Sequence, residues 1–140
     1  MFKRILVALD GSKQSQKALD AAFSLAKSAG RGAKVFTASV CQVIPDTTSA
    51  QDTERIELLF SKIQQDAARK ARAKKIPFDA ETLFGAPAQE IADYAKKIKA
   101  DLVVLGYWET GAKGNTGRLV LGSVSSEAVK LAKASVLVVK

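Results

Sequence analysis

The sequence predicts an α/β protein built on an open parallel five-stranded sheet, order 3-2-1-4-5, with helices on both faces. Three observations carry this prediction. Five short apolar runs alternate with four stretches of helical periodicity along 140 residues. Two of those runs, Ile5-Leu-Val-Ala-Leu9 and Leu102-Val-Val-Leu105, are apolar without alternation, as strands covered on both faces must be. No internal repeat or linker divides the chain, so residues 1–140 are expected to form one domain. Right-handed crossovers then fix the direction of winding.

Each element follows from local chemistry. Gly11-Ser12 punctuates the first run, with Ser12 placed to cap the helix that follows. Ala18, Ala21, Ala22, Leu25, Ala26 and Ala29 recur at helical spacing, and such small residues suit a helix lying close on a sheet. Gly30 and Gly32 end it. Val35 to Val40 is the second strand, and after Pro45 the polar stretch Asp46 to Asp52 reads as a mobile loop. The second helix is expected from Thr53 to Lys74, with Ile56, Leu59, Phe60, Ile63, Ala67 and Ala71 on one stripe. Phe78 to Phe84 mixes apolar and charged residues and reads as an edge strand.

Gly85-Ala-Pro87 breaks the chain and supplies proline for the first turn of a third helix. Ile91, Tyr94, Ala95 and Ile98 mark its buried face. The fourth strand ends at Gly106, and a glycine-rich segment runs from there to Gly117. Gly122-Ser123 opens the last helix, with Val124, Ala128, Leu131 and Ala132 directed inward. Val136-Leu-Val-Val139 closes the chain as the fifth strand. The result is a doubly wound arrangement, Rossmann-like or flavodoxin-like.

Composition removes several classes of function. The chain is 47% hydrophobic and 26% charged, as folded proteins are. Histidine is absent, which excludes Ser-His-Asp and Cys-His nucleophile systems and imidazole metal sites. The single cysteine, Cys41, closes no intrachain disulfide and reads as a small buried hydrophobe. No apolar run approaches the roughly 18 residues of a membrane span. Five apolar residues interrupted by Asp10 are too few for a signal-peptide core, so a cytoplasmic location is expected.

The 22 Lys+Arg against 14 Asp+Glu give a net charge of +8, which permits anionic partners without selecting among them. The densest basic run, Arg69 to Lys75, reads as a solvated helix end. It has no interleaved aromatics for stacking bases, so neither nucleic acid nor a membrane is an expected partner.

In a sheet of this type ligands sit beyond the carboxyl ends of the strands, where the winding reverses. That point falls between Asp10-Gly11-Ser12 and the glycine-rich segment from Gly106. Glycines let backbone N–H groups approach phosphate oxygens, and Gly122-Ser123 adds the N-terminus of a helix. Lys113 and Arg118 supply positive charge. The segment is not a P-loop, because Gly111 is followed by Ala112-Lys113 and by no immediate helix. Asp10 has two readings, a ligand contact and a turn cap. Tyr107 and Trp108 either stack on a base or cover the loop or a partner surface. Asp10 and Glu109 bring two carboxylates near the crevice, but no nucleophile accompanies them.

The segments Ile5-Leu-Val-Ala-Leu-Asp-Gly-Ser12, Gly85-Ala-Pro-Ala-Gln-Glu-Ile91, Asp101-Leu-Val-Val-Leu-Gly106 and Leu121-Gly-Ser-Val124 resemble those of the universal stress protein family. With Val136 to Val139 the likeness covers nearly the whole chain. It implies an adenine nucleotide, ATP or AMP, with Mg²⁺ as a candidate companion. It also implies nucleotide contacts from Ala8, Asp10, Gly11, Ser12, Val40, Gly106, Gly111, Gly114, Gly122, Ser123, Val124 and Ser125. In that assignment Asp10 meets the ribose, Val40 the adenine, and the loop glycines with Gly122-Ser123 the phosphates, with Ser125 also in reach.

ATP-binding members of the family carry glycine, two residues, glycine, nine residues, then glycine and serine or threonine. This chain departs from that spacing. Ala112 and Glu109 stand where the first two glycines belong, and from Gly114 to Gly122 the spacer holds seven residues.

The expected function is a regulatory nucleotide-binding protein, with at most weak ATP hydrolysis and no dedicated catalytic residue. The alternatives are an interaction protein of the same fold with an empty crevice, and a slow ATPase. Val136 to Val139 carries no charge or proline to discourage edge pairing, so a homodimer through this strand is expected, as the resemblance also implies.

Overall fold

The computed structural model describes residues 2–42, 49–107 and 121–140, with only the backbone of 121–125. Strands and helices alternate along it. They are β1 (Arg4–Ala8), α1 (Lys13–Ala29), β2 (Lys34–Cys41), α2 (Ala50–Ala73), β3 (Phe78–Phe84), α3 (Pro87–Lys97), β4 (Leu102–Gly106), α4 (Leu121–Leu131) and β5 (Ser135–Val139). The strands form one parallel sheet in the order β3-β2-β1-β4-β5, as expected. β1 lies at its centre, with Val7 registered against Thr37 of β2 and Val104 of β4.

Alternate residues of the same strands feed two cores, which is why the central runs show no polar positions. Ile5, Val7, Leu9, Val35, Leu102 and Val104 pack under α1 and α2. Leu6, Ala8, Phe36, Val40, Val103 and Leu105 pack on the other face with α3 and Ala128 of α4. The alanine face of α1 is pressed on the sheet as predicted, through Ala18, Ala22 and Ala26. Leu19 and Phe23, which the periodicity did not single out, are buried with them. Pro87 occupies the first turn of α3. β3 is the exposed edge strand that its mixed composition implied.

Three expectations are corrected. α2 begins at Ala50, so the end of the stretch read as loop is helix. Ser49 accepts from the Asp52 N–H at 3.1 Å and Asp52 accepts from the Ser49 N–H at 3.3 Å, a reciprocal cap. The Ser49 contacts hold the Asp52 carboxyl below its usual range. Residues 46–48 of that stretch lie outside the described residues. Leu59 is 54% exposed, whereas Phe60, Ala67 and Ala71 carry the burial. Leu131, also placed inward, is 44% exposed and lines a shallow groove against Ala92 and Ala95 of α3. Ala132, half-buried, follows the end of α4.

Candidate functional site

The reversal of winding falls between β1 and β4, and the chain leaving β1 turns sharply there. Asp10 is 7% exposed. Its Oδ1 accepts the Ser12 N–H at 2.9 Å, closing an Asx turn. Its Oδ2 is buried and has no hydrogen-bond partner among the described residues. The two sequence readings of Asp10 therefore divide between its two oxygens. One holds the turn, and the other is an unsatisfied acceptor able to receive a hydroxyl or amino donor. A buried acceptor left in this state costs free energy that such a donor would recover.

The turn is built from short polar side chains. Ser12 caps α1 by accepting the Ser15 N–H at 3.1 Å. The buried Ser15 hydroxyl donates to the Ser12 carbonyl at 3.0 Å and accepts the Asp10 N–H at 3.3 Å. Ser39 of β2 donates to the Leu9 carbonyl at 2.7 Å and pins the end of the first strand. Sequence reasoning missed Ser15 and Ser39. The available signal was a hydroxyl residue on the inward face of an apolar helix or strand. Ser15→Ala should cost about 1–2 kcal/mol in urea unfolding, because it strands the buried Asp10 N–H. An unchanged midpoint would show that this network is not structural.

The other assigned residues divide by what the structure makes of them. Gly11 sits at φ 85°, and a Cβ there would lie 2.7 Å from Cδ1 of Ile63 on α2. Ala8 and Val40 have their side chains in the core, which leaves their backbone as the means of reaching a ligand. At Gly106 a Cβ would stand 2.5 Å from the carbonyl carbon and oxygen of Gln14, so α1 crosses the end of β4 in backbone contact. Gly122, Ser123, Val124 and Ser125 belong to the first turn of α4. Gly111 and Gly114, like Trp108, Glu109, Lys113 and Arg118, lie outside the described residues. Tyr107 extends the sheet: its N–H donates to the Val139 carbonyl at 2.8 Å and its ring stands 5.3 Å from the Lys140 ammonium.

Burial pushes the Cys41 thiol up, and the Glu57 carboxylate adds to the effect, so Cys41 stays protonated and inert at neutral pH. Among the described residues no group of three or more His, Cys, Asp or Glu is arranged to hold a metal ion. No described helix is long and apolar enough to cross a membrane.

The family model of universal stress proteins matches residues 1–140. The chain belongs to the universal stress protein family. A universal stress protein of Bacillus subtilis is 36% identical to it over 155 aligned positions spanning the whole of both chains. Among solved structures, a universal stress protein of Burkholderia pseudomallei superposes with a TM-score of 0.79 at 23% identity, covering 99% of this chain and 96% of that one. A universal stress protein in complex with cAMP superposes with a TM-score of 0.72 at 26% identity, covering 99% and 97%. The sheet order and the winding are thus those of universal stress protein structures.

Proposed function

We propose that this universal stress protein is a regulatory protein that binds an adenine nucleotide in the crevice beyond the carboxyl ends of β1 and β4. The observation that carries this is the buried Oδ2 of Asp10, without a partner among the described residues, at the point where the winding reverses. A ribose hydroxyl has the donor this oxygen lacks. The cAMP complex of a relative at 26% identity supports an adenine nucleotide as the ligand class. The start of α4, with Gly122 and Ser123 in its first turn, provides backbone N–H groups without intrahelical partners and the positive end of a helix dipole for phosphate. ATP and AMP are both candidates. Mg²⁺ would travel with the phosphates, since the described residues offer it no ligand cluster.

The test is to denature the purified protein and chromatograph what is released, then to measure thermal shifts with ATP, AMP and cAMP. Adenine nucleotide near one per chain, or a raised midpoint with any of the three, is the expected result. Nothing released and no shift would favour the second reading, an interaction protein of the same fold.

That reading has its own observation. The two sheet edges differ. β3 carries Asp79 and Glu81, and Gln64 of α2 donates to the Glu81 carbonyl at 2.8 Å. β5 carries no charge within Ser135–Val139, and its own Leu137 is exposed, as is Val129 of α4. Such an uncharged edge invites pairing with a second copy under a two-fold axis. Val138→Pro should raise the dimer dissociation constant at least about tenfold if the removed N–H faces the partner, since proline cannot donate in a ladder. Sedimentation equilibrium reads this, and a wild-type monomer at micromolar concentration would exclude the dimer.

A further inference from the structure

Helices α2 and α3 end in the same hydrogen-bonded device. After α2, the Lys75 N–H donates to Arg72 O at 3.1 Å and the Ile76 N–H to Ala71 O at 3.0 Å. After α3, the Lys99 N–H donates to Lys96 O at 3.2 Å and the Ala100 N–H to Ala95 O at 2.8 Å. This is the Schellman arrangement, whose left-handed position usually holds glycine. Here it holds Lys75 at φ 57° and Lys99 at φ 56°, whereas α1 ends on Gly30 at φ 83°. A residue with a Cβ is disfavoured in that conformation. Both times the strained residue is an exposed lysine.

Contacts join these helix ends into one surface along the amino-terminal edge of the sheet. Lys27 Nζ, from α1, donates to the Lys74 carbonyl beyond α2 at 3.0 Å. Lys3 Nζ donates to the carbonyls of Ala29 and Arg31 at 2.9 Å each. Arg4 Nε donates to the Ile98 carbonyl, next to Lys99, at 2.6 Å. The sheet register also sets Arg4 directly opposite Lys34, and both cations lie over the Phe36 ring, 4.8 and 4.9 Å from its centroid. Like charges opposed on neighbouring strands repel.

Two acids at this edge offset part of the array at the strand starts and leave the lysines of the helix ends. Asp79 pairs with Lys34 at 2.7 Å, and Asp101 turns its oxygens to the backbone N–H groups of Lys3 and Arg4. Helix dipoles attract cations to the last turns and account for Lys27, Lys70 and Lys96. They do not account for lysine in two glycine positions.

We propose that this edge is a docking face for an anionic lipid bilayer. Cations spread over three helix ends and two strand starts match a plane of anionic headgroups. Phe2 is 37% exposed beside Lys3 and Arg4, and an aromatic ring among cations suits the headgroup boundary. No other aromatic side chain of this edge is exposed among the described residues, so none is set out to stack the bases of a single-stranded polynucleotide. The sequence showed one basic run at one helix end and therefore gave no reason to expect a membrane. The fold gathers three such ends, and the contact it supports is peripheral.

Co-sedimentation of the full chain with phosphatidylcholine vesicles, with and without phosphatidylglycerol, tests the proposal at low and high salt. Binding is expected only with phosphatidylglycerol and should fall as salt rises. The double variant Lys75→Gly with Lys99→Gly should lower the partition coefficient about 25-fold, about fivefold for each lysine. Its thermal midpoint should stay level or rise, because glycine relieves both left-handed positions. Arg31→Gln, which changes no backbone preference, should lower binding about fivefold. Four results would each overturn the proposal: no vesicle binding, equal binding to neutral vesicles, an equal loss in Lys17→Gln with Lys62→Gln, or tighter binding to mixed RNA than to anionic vesicles at the same salt.

Discussion

Asp10→Asn should lower adenine-nucleotide affinity about 10- to 100-fold while changing unfolding free energy by less than about 1 kcal/mol. The asymmetry follows from the two oxygens of the side chain. The amide oxygen of asparagine can still accept the Ser12 N–H that Oδ1 accepts at 2.9 Å, so the turn closes as before. The amide nitrogen replaces Oδ2, the buried atom without a partner, and presents donors where a ligand hydroxyl needs an acceptor. A hydrogen bond to a charged group contributes about 1.5–3 kcal/mol, which sets the range of the loss. Titration calorimetry with AMP and ATP reads the affinity, and urea unfolding reads the fold. Unchanged affinity with an unchanged fold would remove Asp10 from the site. Asp10→Ala serves as the contrast, since it should lose both the affinity and part of the stability.

Gly106→Ala should destabilise the fold by about 3 kcal/mol, lowering the melting temperature by about 10 °C for a chain of this size. The added Cβ would meet the carbonyl carbon and oxygen of Gln14 at 2.5 Å, and its Cβ at 2.8 Å. Those atoms belong to the first full turn of α1, whose cap at Ser12 and link to Asp10 through Ser15 fix its position. A flexible side-chain tip could move aside, but a helical backbone cannot do so without parting α1 from β4. A melting temperature within about 2 °C of wild type would mean that the helix can shift at small cost. Gly11 makes the useful comparison. Its clash is with the end of Ile63, so the cost of Gly11→Ala should come mainly from φ 85°.

The sheet was legible in the sequence because burial on both faces leaves no other pattern for β1 and β4 to adopt. The edge position of β3 was legible for the converse reason, since Asp79 and Glu81 fit only a strand with one open side. The start of α2 was harder to read. Its cap uses Asp52 where glutamate or glutamine is the commoner partner, and it ends a polar stretch that resembles a loop. The misplacement of Leu59 has a geometric cause. Phe60, Ala67 and Ala71 fall on one narrow line of α2, and at about 100° per residue Leu59 stands about a quarter-turn away from it. Periodicity marks a stripe wide enough to include Leu59 and is silent on how much of that width the sheet covers.

The site was legible as a place before it was legible as atoms. Strand order alone directs attention to Asp10 and Gly106. It does not reveal that Gly106 is demanded by the backbone of α1, because the constraint comes from a helix more than 90 positions away in the chain. Nor can it show which oxygen of Asp10 is occupied. That depends on Ser12 and Ser15 closing the turn around it.

The divided carboxylate of Asp10 bears on inheritance. If Oδ2 meets the nucleotide as proposed, a lineage that ceased to meet that ligand would still be selected for the oxygen that closes the turn, so the aspartate would persist without its second task. Loss of binding would then leave little trace at this position beyond drift between aspartate and asparagine, which the turn tolerates equally. An asparagine here in a related chain would accordingly mark a crevice that has fallen silent, whereas an aspartate would testify only that the turn is still made.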